Sequence, residues 1–171
     1  MNALEKILAV PLIDRTRRNH GLEHATITLL SQKYRGLSLA GRSTQNGFYL
    51  YGHVSAAEIE DAAQAALQRM KAGERHLAVH PNCGTNFVVA GFAAALAGFL
   101  GFFGARNWRD RLERLPFVAS LATFALIFAQ PVGLTLQRDI TTSGEMREME
   151  IISIEPRGFG NLPIHFITTR N

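Results

Sequence analysis

The sequence holds a single cysteine, Cys83. No internal disulfide can form, and nothing implies an oxidising compartment. Charge is also scarce: 19% of residues are Asp, Glu, Lys or Arg, against roughly 25% in an ordinary soluble domain. The net charge of +4 comes mostly from arginine. No basic stripe or aromatic-interleaved patch accompanies it, so nucleic acid is not an expected partner. Arginine beside apolar blocks suits a membrane surface instead. The chain has no phosphate loop, no serine nucleophile elbow and no dinucleotide fingerprint. It has no internal repeat and no low-complexity tract. A signal peptide is not expected either. The apolar part of MNALEKILAVPLIDRTRR, Ile7 to Ile13, is short, broken by Pro11, preceded by Glu5, and has no small-residue cleavage site. It reads as a short helix lying on a membrane or on the domain.

The charge deficit is local. Asn86 to Ala105 and Leu115 to Leu136 carry no charge at all. Each is about 20 residues long, so each helix would cover roughly 30 Å, the thickness of a bilayer core. The connector RNWRDRLER, Arg106 to Arg114, holds four arginines and the interfacial aromatic Trp108. The expectation is a transmembrane hairpin with both termini on one side. Charge near the spans almost cancels, so the long N-terminal region decides orientation. The expected location is the cell inner membrane, multi-pass, with both termini cytoplasmic. Ala90, Ala94 and Gly98, and beside them Ala97, Gly101 and Ala105, form small-residue faces. Such faces let helices approach closely in lipid, either those of a membrane-protein partner or those of a second copy. Gln130 and Pro131 can bend the second block or leave a polar contact inside it.

The rest of the chain reads as an α+β domain. Thr16 to Lys33 is a helix candidate, stopping before Gly36. Leu37 to Gly41 and Gly47 to His53 read as strands, with STQNG, Ser43 to Gly47, as the turn. Ser55 and Glu58 form a capping box for a helix running through Lys71. His76 to Val79 is a short strand candidate that should pair in the sheet. Glu148 to Glu155 and Ile164 to Thr169 are two more strands, joined by the turn PRGFGNLP. The expected division is an N-terminal α+β domain over residues 1–85, a two-helix hairpin over 86–137, and a C-terminal β-hairpin over 138–171 that completes the first domain's sheet.

Two of the six histidines stand four residues apart in NHGLEHATI. On a helix, His20 and His24 share a face one turn apart, with Glu23 beside them. Leu22, Ala25, Leu29 and Leu30 would lie opposite, against the sheet. Two imidazoles one turn apart suit a divalent ion. H-x-x-E-H is also the inverted zinc motif, in which the glutamate acts as general base. The plainer reading is a hydrogen-bonded His–Glu–His cluster. A second cluster, AVHPNCGTN, puts His80 and Cys83 three apart in a tight turn, a common setting for zinc ligands. The plainer reading there is a turn, with Thr85 or Asn86 capping the next helix and Cys83 as a small filler. His20, His24 and His80 would leave a zinc site open, whereas adding Cys83 would close it. His53 and His76 are spare candidates, and His165 is expected at the solvent or the sheet edge.

HGLEHATI, STQNGFYLYGHV, LAVHPNCGTN and the hairpin after them together resemble an uncharacterised family of small bacterial membrane proteins, known only as a domain of unknown function. That resemblance implies a membrane location and no particular activity. Locally, His20, Leu22, Glu23 and His24 are similar to the H-x-L-E-H zinc helix of the pitrilysin/insulinase metallopeptidases. The segment FYLYGHVSAAEIEDAAQAALQRM is similar in rhythm to the segment after the zinc helix in those enzymes. This second resemblance implies zinc on His20 and His24, with Glu23 as base. Those enzymes take a third ligand from a glutamate on a later helix, and here this chain departs from them: Glu58, Glu60 and Glu74 are poor matches. Two functions are consistent with these features: a membrane-anchored zinc hydrolase, or a non-enzymatic accessory or assembly subunit of a membrane complex with a structural metal or cofactor site. The expected site is Glu23 as catalytic base, with His20, His24, His80 and Cys83 as ligands to zinc or another divalent metal.

Overall fold

A computed structural model describes residues 2–158 and 163–170. It is α+β, as expected, and divides into two compact units: residues 1–80 with 138–171, and residues 81–137.

The first unit opens with helix α1 (Ala3–Leu8), none of whose residues is buried. Pro11 then begins helix α2 (Pro11–Lys33). Proline fits there because the first turn of a helix has no use for its N–H. α2 therefore starts five residues before the stretch its periodicity suggests. Strands β1 (Ala40–Thr44) and β2 (Gly47–Tyr51) form a hairpin paired from Ala40↔Tyr51 to Thr44↔Gly47. The first strand thus runs three residues later than expected. Ser43 and Thr44 belong to the strand and only Gln45 and Asn46 make the turn, because Gly47 is already paired. Helix α3 (Ala56–Lys71) has the capping box its sequence announces: Ser55 and Glu58 each cap the other's backbone N–H.

Residues 76–79, expected as a strand, instead lie in a 3₁₀ turn, Arg75–Ala78, and its exit. The hydrogen bonds of this stretch are local, with Leu77 N–H donating to Glu74 and Val79 N–H to His76. Among the described residues it joins no ladder of the sheet; the strand that pairs with β2 opposite β1 comes from the far end of the chain. That strand is β4 (Ile164–Arg170), which pairs with β2 on one side and β3 (Glu150–Pro156) on the other. The sheet is antiparallel throughout, in the order β1-β2-β4-β3. Half of the turn expected between β3 and β4, residues 159–162, lies outside the described residues.

The period of two along β4 sends His165, Ile167 and Thr169 to the buried face and the residues between them outward. His165 is therefore not at a solvent face or a sheet edge. It is 8% exposed, on an inner strand between Leu50 and Pro156. α2 and α3 pack over this face. Leu22, Leu30, Phe48, Leu50, Ile59, Met146, Met149 and Ile167 are almost wholly buried between them. Each such side chain contributes about 1.5–3 kcal/mol. The core thus ties residues before the apolar segment to residues after it.

The second unit is a pair of helices, α4 (Gly84–Phe102) and α5 (Trp108–Leu136), the latter running on into a π turn, Gln137–Thr141. Both are long and apolar enough to cross a bilayer. Only Phe103 to Asn107 separates them, since the rest of the arginine-bearing connector forms the first turns of α5. Asn107 caps that helix through Asp110 N–H at 3.0 Å. Ala97 and Gly101 face α5; a Cβ on Gly101 would stand 2.6 Å from Val118 Cγ2. The polar contact in the pair is made not by Gln130, which is exposed, but by Gln137 Nε2 donating to Asn86 Oδ1 at 2.6 Å.

Candidate metal centre

α2 is buried on nearly all sides between Arg18 and Ile27. The His–Glu–His face is not turned to solvent opposite the sheet. It is enclosed by β1, by the 3₁₀ turn and by the chain that returns after α5. The helix reaches this depth because it has small or hydrogen-bonded residues where neighbours approach. A Cβ on Gly21 would stand 2.2 Å from the Ser143 carbonyl oxygen, and one on Gly41 of β1 would stand 2.2 Å from Glu23 Oε1. Asn19, fully buried, donates from Nδ2 to the Thr44 carbonyl at 2.8 Å and accepts from Thr169 Oγ1 at 2.6 Å. It fastens α2 to β1 and β4 together.

The two imidazoles lie one turn apart with ring centroids 4.3 Å from each other. Each is oriented by a backbone carbonyl. His20 Nδ1 donates to the Thr141 carbonyl at 3.0 Å, and His24 Nδ1 to the Ala78 carbonyl at 2.8 Å. A carbonyl oxygen only accepts, so the ring proton sits on Nδ1 and the lone pair on Nε2. This is how metal-ligating histidines are ordinarily held, with the second nitrogen fixing tautomer and ring angle. Arg17 braces the segment on both sides of the Thr141 carbonyl: its Nε donates to the Ile140 carbonyl at 2.6 Å, and its Nη2 to those of Asp139 and Thr142, each at 3.0 Å.

Glu23 is 4% exposed and accepts a hydrogen bond from the Ser43 hydroxyl. Burial raises its carboxyl above the usual carboxylate range, while Ser43 and the nearby His20 pull it partly back. His80 is half-buried, its ring centroid 5.9 Å from that of His24. Burial, then the neighbouring His24, lowers its pKa, which favours the neutral ring. Cys83 is buried and caps α4, its Sγ accepting from Thr85 N–H at 3.4 Å. It takes the cap expected of Thr85 or Asn86; Asn86 instead donates to the Pro81 carbonyl at 2.6 Å.

His20 and His24 each offer a ring nitrogen to a metal ion, and His80 stands beside His24 in the same unit. Cys83 belongs to the other unit. His53 and His76 are exposed. Sequence reasoning missed Ser43, Gly41, Asn19 and Arg17. Their roles are contacts across 18 or more positions, and no local pattern carries them.

A family model described as "Domain of unknown function (DUF6391)" matches residues 15–154. The chain is also similar to an uncharacterised protein of the cyanobacterium Picosynechococcus sp., 32% identical over 167 residues, covering 90% of this chain and 78% of that protein. No solved structure matches it.

Proposed function

We propose that this chain, which belongs to the DUF6391 family, is a membrane-embedded zinc hydrolase of metallopeptidase type. The observation that carries the reading is the pair of imidazoles on α2, His20 and His24, each oriented through Nδ1 by a backbone carbonyl, with His80 beside His24. Imidazole nitrogens select zinc over calcium or magnesium, which take oxygen. Three histidines would leave a fourth position open, as a catalytic site requires. A bound zinc would supply Lewis acidity and make its water more acidic. Glu23 would be the residue that takes up a proton, on a carboxylate oxygen; burial raises its pKa, and Ser43 holds the carboxylate in place.

α4 and α5 anchor this chemistry to a bilayer. Only 11% and 17% of their apolar windows is buried, where the core helix of a soluble protein would be mostly covered. Ala90, Ala94 and Gly98 form the small-residue face for a partner helix; no atom lies within 4 Å of a Cβ built on Gly98.

The second reading is an accessory subunit with a structural metal. It would hold where Cys83, three residues after His80 in the sequence, joins the three histidines and closes the set. Cobalt substitution separates the ligand sets. With Cys83 as a ligand, the cobalt protein should show a near-ultraviolet thiolate-to-metal band, which Cys83→Ala should abolish and Glu23→Gln should keep. Loss of proteolysis in Glu23→Gln, with the metal retained, supports the hydrolase. A protein that is unaffected supports the subunit. A cobalt protein without the band removes Cys83 from the site.

A further inference from the structure

We propose that an arginine-lined cavity in the polar unit is a binding site for a phosphoryl group. The cavity is about 330 Å³, and its lining includes Arg17, Arg75, Arg138, Arg147, Asp14 and Glu145. Arginine outnumbers carboxylate there, and the carboxylates are shared. Asp14 serves both Arg18 at 2.9 Å and Arg147 at 3.1 Å, while Arg75 pairs with Glu145 at 3.2 Å. Arg138 is engaged by Asp139 at 2.7 Å. Arg17 is different. Its hydrogen bonds go to the carbonyls of Asp139, Ile140 and Thr142, which lend dipoles but no negative charge. Burial lowers its pKa from the ordinary arginine value, with Asp14 acting the other way. The cavity therefore keeps a half-buried guanidinium whose charge is only partly answered.

An anion with several acceptor oxygens and up to two charges fits this arrangement better than a single carboxylate. Guanidinium forks take phosphate oxygens in pairs. The ion pair at Arg75 is solvent-exposed on both sides, with 67% and 52% of the two side chains accessible, and such pairs are weak enough for a phosphoryl group to displace. Arg147 is 60% accessible, and its partner Asp14 keeps Arg18 if Arg147 turns to the anion. The volume admits more than a bare phosphate. Two of the lining residues, Val79 and Arg138, flank the apolar segment in sequence. A phospholipid headgroup is one source of the phosphoryl group, and a soluble phosphate-bearing molecule is the other. The lipid source rests on the membrane reading above; the anion site does not.

Calorimetric titration of the full chain in an uncharged detergent tests this, using inorganic phosphate in one arm and a short-chain phosphatidic acid in the other. Binding of phosphatidic acid alone supports the site with a lipid source. Binding of both, or of phosphate alone, supports it with a soluble source. The double variant Arg75→Gln/Arg147→Gln should weaken whichever binds by about ten-fold or more. Arg75→Lys/Arg147→Lys, which keeps the charge, should lose less. Arg35→Gln, an exposed arginine outside the cavity, should change nothing. No binding in either arm overturns the proposal, and so does an equal loss from Arg35→Gln.

Discussion

A methyl group at position 41 would stand 2.2 Å from Glu23 Oε1 and 2.6 Å from its Cγ. The carboxylate is enclosed, so it has little room to yield. Gly41→Ala should therefore push Glu23 off the Ser43 hydroxyl while leaving the two histidines on α2 in place. Overpacking of this kind costs about 1–3 kcal/mol. For a chain this size that lowers Tm by about 2–4 °C per kcal/mol. An unchanged melting temperature would mean that the carboxylate does not lie over β1. At this scale the sequence is half readable. Four-residue spacing on a helix is local, so His20, Glu23 and His24 show themselves as neighbours before any fold is known. Ser43 and Gly41 do not, because strand residues that meet a helix are brought there by tertiary packing. At the head of α4 the sequence offers Thr85 or Asn86 as cap, yet Cys83 caps, because which residue caps depends on where the chain enters the helix.

The elements are legible where their signals are local. Ser55 and Glu58 mark the start of α3 correctly because a capping box is complete within four residues. Tyr34, beyond the end of α2, adds a contact that no spacing predicts: its hydroxyl donates to Glu58. That bond and those from Ser55 hold the Glu58 carboxyl down at about 2. The group is depressed in the folded state. Its contribution to stability is thus present above the ordinary carboxyl value of 4.5 and disappears as pH falls toward about 2. Tyr34→Phe should be less stable at neutral pH and should lose less stability across that acid window, as followed by denaturant titration at several pH values. An unaltered pH profile would rule out the bond. Residues 76–79 mislead for the opposite reason. Their apolar content fits a strand, but their backbone N–H groups close local 3₁₀ bonds to Glu74 and His76 and pair with no strand among the described residues.

Over the whole molecule, the two apolar blocks are the clearest feature, since length and lack of charge alone identify them. The antiparallel sheet is less so. β4 lies between β2 and β3, so one of the sheet's two inner strands comes from the far end of the chain. This arrangement brings the Thr141 carbonyl, after the insertion, and the Ala78 carbonyl, before it, onto the two histidines of one helix. Imidazoles oriented in this way should hold a metal. Elemental analysis of the full chain, purified without chelators, beside its His24→Ala and Glu23→Gln variants, reads that out with no assumption about substrate. About one zinc per chain is expected in the wild type and in Glu23→Gln, and little in His24→Ala. A folded wild type without metal, or a His24→Ala protein that holds as much as the wild type, would contradict the metal centre.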